Sequence, residues 1–206
     1  MPSWKNLNQA FRYLQKFIAN KQTSNKFDLS EIDLALVSNF KGGNASIAEP
    51  LETLFEKLKV YSDHLRQLNG FIDGKSLREL NLDARIELGR KAREFVSLTN
   101  KENDTHIFGF GASYASALLA AYFPETVPVL DRLVLSETGI KHSPKQVAEI
   151  DQYYPSLIEA FYSTLIKHPH LTMRDLDKKW FDDNQRRRRE DRRVSNAADG
   201  LKRELV

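Results

Sequence analysis

The stretch Phe108-Gly109-Phe110-Gly111-Ala112-Ser113-Tyr114-Ala115-Ser116-Ala117 is where residue types and spacing point most directly to chemistry. Two glycines one residue apart permit positive φ and let another backbone come close, because neither carries a Cβ. A helix starting just after them directs the N–H groups of its first turn outward, where a phosphate oxygen can be received. An αα-corner that uses glycine only to turn is the plainer reading of the same residues. A second candidate is the run Arg186-Arg187-Arg188-Arg189-Glu190-Asp191-Arg192-Arg193. Four adjacent arginines spread charge around most of a helical turn and suit a polyanion. Carboxylates four residues away (Asp182, Asp183, Glu190, Asp191) equally suit a solvated, ion-paired helix. His64, His106, His142, His168 and His170 show no metal-ligand spacing. The absence of cysteine excludes disulfides, thiolate zinc sites, iron–sulfur clusters and cysteine nucleophiles.

Helices must position these groups, since apolar residues recur at three- and four-residue spacing almost throughout. Leu7, Phe11, Leu14, Phe17 and Ile18 mark an opening amphipathic helix. Ser30 followed by Asp33 marks the start of a second, with Ile32, Leu34, Ala35, Leu36 and Val37 as its buried side. Lys41-Gly42-Gly43-Asn44 reads as a turn. The spacing then predicts a long helix over 47–68 with Pro50 in its first turn, broken by Asn69-Gly70 and Asp73-Gly74. A short piece near Leu77–Leu80 precedes a helix opened by Asp83 that carries Ile86, Leu88, Ala92 and Phe95. The glycines should then form a tight hairpin between two helices, the second running from Ala112 to Tyr122 and closed by Pro124. A short helix ends at Gly139, Ser143-Pro144 opens a long one reaching about Lys167, and Leu171-Thr172 opens the last. Only Thr126–Leu130 hints at period-two alternation, too briefly for a sheet. The expected fold is all-α, a multi-helix domain over 1–185 followed by a basic C-terminal tail over 186–206.

Of the 206 residues, 41% are hydrophobic and 29% charged, a balance that supports one core. The net charge is +3, yet Arg186 to Val206 alone holds eight basic against four acidic residues, which leaves the body at −1. The isoelectric point near 9.0 therefore describes the tail. No apolar run reaches the ~18 residues of a membrane helix. The first residues, Met1-Pro2-Ser3-Trp4-Lys5, lack the basic start and apolar stretch of a signal peptide. A cytoplasmic location is the expectation, with cysteine-free composition pointing the same way.

The glycine stretch, with the alanine-rich helix after it and Val129-Leu130-Asp131-Arg132-Leu133-Val134 beyond, resembles the helix-hairpin-helix DNA-repair glycosylase superfamily. In that superfamily a Gly-x-Gly hairpin precedes an apolar-Asp-x-x-Val segment. Here Asp131 follows Gly111 by 20 residues, as the family pattern has it without insertion. Leu171-Thr172-Met173-Arg174-Asp175-Leu176-Asp177-Lys178-Lys179-Trp180 is similar to the C-terminal helix of small bacterial relatives, in which an Asp-x-x-(Leu)-Trp pattern closes the domain. Phe40-Lys41-Gly42-Gly43 corresponds to an aromatic–lysine turn in the same proteins.

The resemblance implies DNA as partner, gripped at Gly109, Phe110, Gly111 and Ser113; by their charge alone, Arg132 and Arg186, Arg187, Arg188 and Arg189 are the candidates for further phosphate contacts, as well as for pairing with nearby carboxylates. It implies Asp131 as the carboxylate facing an extruded nucleotide, stabilising cationic character at the sugar while water attacks. It implies no cofactor beyond a monovalent cation at the hairpin. Bifunctional members place a Schiff-base lysine two residues after the second glycine. Ser113 stands there, so the pattern is that of a monofunctional, hydrolytic N-glycosylase. Asp131 also reads as a simple N-cap of the following helix, and a non-catalytic DNA-binding or protein-interaction module keeps the same scaffold. Phe40, Phe71, Tyr114 and Tyr122 are the aromatic candidates for holding a base.

Overall fold

Helices form where the apolar spacing places them, and the computed structural model describes residues 4–42, 47–141 and 150–204. In chain order they are α1 (Trp4–Asn20), α2 (Glu31–Phe40), α3 (Leu51–Ile72), α4 (Leu82–Ser97), α5 (Ala112–Tyr122), α6 (Arg132–Glu137), α7 (Tyr154–Lys167) and α8 (Met173–Glu204). Short 3₁₀ turns lie at Thr23–Asn25, Leu77–Glu79 and Ile150–Tyr153, and no strand occurs among the described residues. The fold is all-α.

Local chemistry sets the helix ends. Ser30 and Asp33 form a reciprocal capping box on α2. The Asn81 side chain accepts from the Ala84 N–H at 2.9 Å to start α4. Thr172 and Asp175 cap α8, with the Thr172 N–H donating to the carboxylate at 2.9 Å and the Asp175 N–H to the hydroxyl at 3.1 Å. α3 departs from its expected bounds at both ends. Pro50 precedes its first turn, and the helix runs through Asn69-Gly70 to Ile72 before Asp73 (φ 50°) and Gly74 (φ 72°) turn the chain. Burial of Leu65, Leu68 and Ile72 on one face outweighs the helix penalty of one glycine, about 1 kcal/mol. On the other side, Leu51 and Phe55 face out, as do Ile32 on α2 and Ile86 on α4. The Ser143-Pro144 start lies outside the described residues; in its described part that helix begins only at Tyr154, after a 3₁₀ turn.

The core is one cluster drawn from all eight helices. Its centre holds Leu14, Val37, Leu58, Tyr61, Leu88, Phe95, Leu118, Tyr154, Phe161 and Leu176, none more than 2% exposed. α5, almost wholly buried, runs through it on small residues (Ala115, Ser116, Ala117, Ala120, Ala121) that admit close neighbours. Gly89 on α4 allows a close approach, since a Cβ there would stand 2.9 Å from the Pro155 Cα of α7. Beneath α1 and α2 a buried charge is fully partnered. Asp33 accepts from the Lys21 ammonium at 2.8 Å, the Tyr122 hydroxyl at 3.1 Å and the Ser30 N–H at 2.9 Å.

The stretch between α5 and α6 positions the site. Ser116 on α5 receives the Leu130 N–H at 3.0 Å and donates to the Leu130 carbonyl at 3.1 Å. The Tyr154 hydroxyl donates to the Pro128 carbonyl at 2.8 Å, and Thr126 donates to the Lys75 carbonyl at 2.7 Å. These bonds satisfy an extended segment that has no ladder partner and fix where Asp131 emerges.

Candidate functional site

Asp131 stands at the N-cap of α6, one Oδ accepting the Leu133 N–H at 2.8 Å. Its other oxygen accepts from the Lys41 ammonium at 2.6 Å, bringing the end of α2 to the start of α6. Asp131 is thus a helix cap, and the same carboxylate pairs with a lysine and lines a cavity. The side chain is 27% exposed and Lys41 16% exposed, and both line a cavity of about 200 Å³. Apart from Asp177, the other walls are apolar: Trp4 and Leu7 from α1, Phe40, Val129, Leu133, Val134, and Phe181 from α8. Trp4 and Phe181 pack at 5.3 Å between ring centroids. Burial alone would raise the Asp131 pKa. The Lys41 charge and hydrogen bond, the Leu133 N–H and the Arg132 charge outweigh it and hold the carboxyl below its ordinary value. An ionised carboxylate in a mostly apolar cleft interacts strongly with any positive charge that develops there.

A second carboxylate lines the same cavity. Asp177, on α8, is buried and paired with Arg174 one turn earlier on that helix. Burial raises its pKa, and the Asp131 charge pushes the same way against the pull of Arg174 and Lys41. Arg174 sits over the rings of Trp4, Phe11 and Phe40 at 4.2, 4.5 and 5.3 Å and donates to Asn8 at 3.0 Å. Behind it opens a larger cavity of about 550 Å³, which shares Trp4, Val129 and Asp177 with the first.

The glycine segment differs from a tight hairpin. α4 ends at Ser97 and α5 begins at Ala112, so a series of turns over 98–111 separates the helices. Asn103, Thr105 and His106 turn this segment through bonds to the Ser97, Leu98 and Thr99 carbonyls. Gly109 takes φ 87°, the conformation for which glycine is suited. Gly111 is extended and precedes α5. The Phe110 side chain is core, edge-on to Tyr61 at 5.8 Å, and its N–H donates to the Ile107 carbonyl. The Phe110 N–H is therefore already committed within the segment. The Phe108 N–H donates to Glu49 at 3.1 Å, and Lys57 holds that carboxylate at 2.5 Å. The Phe108 ring is 64% exposed, a large apolar side chain held outward beside Gly109. Ser113 lies one turn from Ser116, and Ser116 holds Leu130, so this end of α5 is within about one helical turn of the Asp131 backbone.

Arg132 is exposed at the mouth of α6. Arg186 pairs with Asp183 at 2.7 Å and Arg187 with Glu137 at 2.5 Å; Arg188 and Arg189 lie outside the described side chains. α8 is continuous across residues 185 and 186, and Asn184 joins Arg187 in holding Glu137 of α6. Among the four aromatic candidates only Phe40 lines the Asp131 cleft. Tyr122 is bound to Asp33, Tyr114 packs on Phe110, and Phe71 lies beneath Lys91. Trp4, Phe181 and Asp177 carry no sequence signal that separates them from ordinary helix-face residues; only packing brings them to the cleft. Lys41 had one, the aromatic–lysine turn. Among the described residues no group of three or more His, Asp or Glu gathers as a metal would require, and no helix is long and apolar enough to cross a membrane.

Compared with protein families, curated proteins and solved structures, the chain matches none of them.

Proposed function

We propose that this chain binds DNA through the glycine segment and hydrolyses the N-glycosidic bond of a nucleotide extruded into the Lys41–Asp131 cleft. One observation carries the reading: Asp131 is an ionised carboxylate at an aromatic-walled cleft, and the Leu130 backbone just before it is bonded to Ser116, one turn along α5 from Ser113. Asp131 would face the sugar as its C1′ gains positive charge, while a water molecule attacks and the base leaves. Trp4, Phe40 and Phe181 provide surfaces on which a base can stack. Exposed Phe108 suits the gap that extrusion leaves in the duplex. Asp131→Asn keeps size and cap but removes the charge, so it should abolish base release from damaged duplex DNA while DNA affinity persists. Release undiminished in that variant would reject Asp131 as the catalytic group.

A non-catalytic DNA-binding module is the second reading, favoured by the full partnering of Asp131, whose two oxygens are occupied by Leu133 and Lys41. It expects DNA affinity in the wild type that falls on replacing Gly109 and Gly111 with valine, and no base release from any substrate.

A further inference from the structure

Two carboxylates meet one cleft here, and their surroundings drive them apart. Asp131 lines the cleft with Lys41 against it, whereas Asp177 forms part of the wall between the small cavity and the larger one behind it. Building on the N-glycosidase reading, we propose that Asp177 is the proton donor to the departing base, so that the substrates are N-glycosides whose neutral base leaves only when protonated. Asp177 is 8% exposed, and Arg174 fixes one of its oxygens from within the same helix. Its position in the shared wall brings it to whatever occupies the space beside Asp131. The charged groups around it are Arg174 on α8, Lys41 at the end of α2 and Asp131 at the start of α6. Around the larger cavity Arg12 of α1, Glu125 after α5, and Asp175 and Lys178 of α8 complete the set. Burial first, and the Asp131 charge next, favour the protonated carboxyl, while Lys41 keeps Asp131 ionised. Carboxyl groups whose surroundings push their pKa values in opposite directions can divide the work of acid and charge stabiliser.

In the step, the C1′–N bond breaks and its electron pair leaves with the base, which takes the Asp177 proton. Water adds to C1′ and gives up a proton that restores Asp177. The products are the free base and a sugar bearing a C1′ hydroxyl. Lys41 is the rival donor, but its ammonium already donates to the Asp131 carboxylate at 2.6 Å.

Leaving-group chemistry provides the test. Duplex oligonucleotides carry either a neutral lesion (uracil, hypoxanthine or 8-oxoguanine in turn) or 7-methylguanine, whose base is already cationic and departs without a proton. Asp177→Asn should slow release of the neutral base that the wild type excises by about 100-fold or more, within the usual range for general acid catalysis, and slow 7-methylguanine release far less. In the wild type, the neutral-base rate should fall as pH rises through the Asp177 pKa, and the 7-methylguanine rate should lack that limb. Retained 7-methylguanine release shows that the variant is folded. Should loss of the Arg174 partner unfold it, Arg174→Met/Asp177→Asn removes both charges and gives the same comparison. Equal loss on both substrates, or no loss on either, overturns the assignment. Selective loss in Lys41→Met but not in Asp177→Asn transfers the role to Lys41. A wild type that releases neither base rejects the N-glycosidase reading, and the donor assignment falls with it.

Discussion

Replacing Asp131 separates its two physical roles. The carboxylate caps α6 through the Leu133 N–H and pairs with Lys41 at 2.6 Å. Asparagine caps a helix about as well as aspartate, whereas alanine loses about 1 kcal/mol. Exposed ion pairs contribute about 0.2–1 kcal/mol, and removing one member of a buried pair costs about 3–5 kcal/mol. With side chains 27% and 16% exposed, this pair falls between, at roughly 1–2 kcal/mol. Asp131→Asn should therefore cost about 1–2 kcal/mol and Asp131→Ala about 2–3 kcal/mol. Urea unfolding at pH 7, with Lys41→Met and the double variant completing a cycle, reads both figures as midpoint shifts at constant m. The pH dependence has a defined sign. A carboxyl held below its unfolded value contributes its full stability above that value, about 3.9, and loses it as pH falls through the lower folded pKa. The gap between wild type and Asp131→Asn should be constant from neutrality down to about pH 4 and close below it. A gap that persists undiminished in acid, or an Asn variant as stable as the wild type, would refute the coupling of Asp131 to Lys41.

Lys21→Met leaves Asp33 buried without its cation and should cost about 3–5 kcal/mol in urea unfolding, whereas Lys21→Met/Asp33→Leu should recover much of the loss. Gly89→Ala should destabilise by about 1–3 kcal/mol, seen as a lower Tm, because its Cβ meets Pro155 backbone; an unchanged Tm would show that α4 and α7 separate freely. Asp177 works in the opposite sense to Asp131. Its folded pKa lies above the unfolded value, so its contribution is full below about pH 4 and is lost as pH rises through the folded value, which acid titration of wild type against Asp177→Asn measures. Replacing Arg186 through Arg189 with glutamine should flatten the slope of log DNA affinity against log salt by about 0.9 for each phosphate no longer neutralised and weaken all sequences alike; an unchanged slope would leave these arginines as ion-paired helix surface.

Periodicity by itself determined that the chain is helical, because amphipathic spacing depends only on which side chains share a face. It also placed α1, α2, α4 and α5 closely, the last three helped by local signals: Ser30 with Asp33, Asp83 in a first turn, the glycines before Ala112 and Pro124 after Tyr122. Where a local signal competed with burial, burial decided. Asn69-Gly70 does not end α3, because Leu68 and Ile72 pack on the core, and Phe110 is core rather than surface although it lies between two turn-forming glycines. Asp131 was legible as a candidate because its distance from the glycines is a property of one continuous stretch. Its partners were not. Lys41 lies 90 residues earlier in the chain, and Trp4, Asp177 and Phe181 come from the first and last of the described helices. A helix-face pattern records that a residue is buried or exposed but not against what. The opposite pKa shifts of Asp131 and Asp177 arise because α2, α6 and α8 converge: Lys41 outweighs burial at Asp131, whereas burial outweighs the Arg174 pair at Asp177.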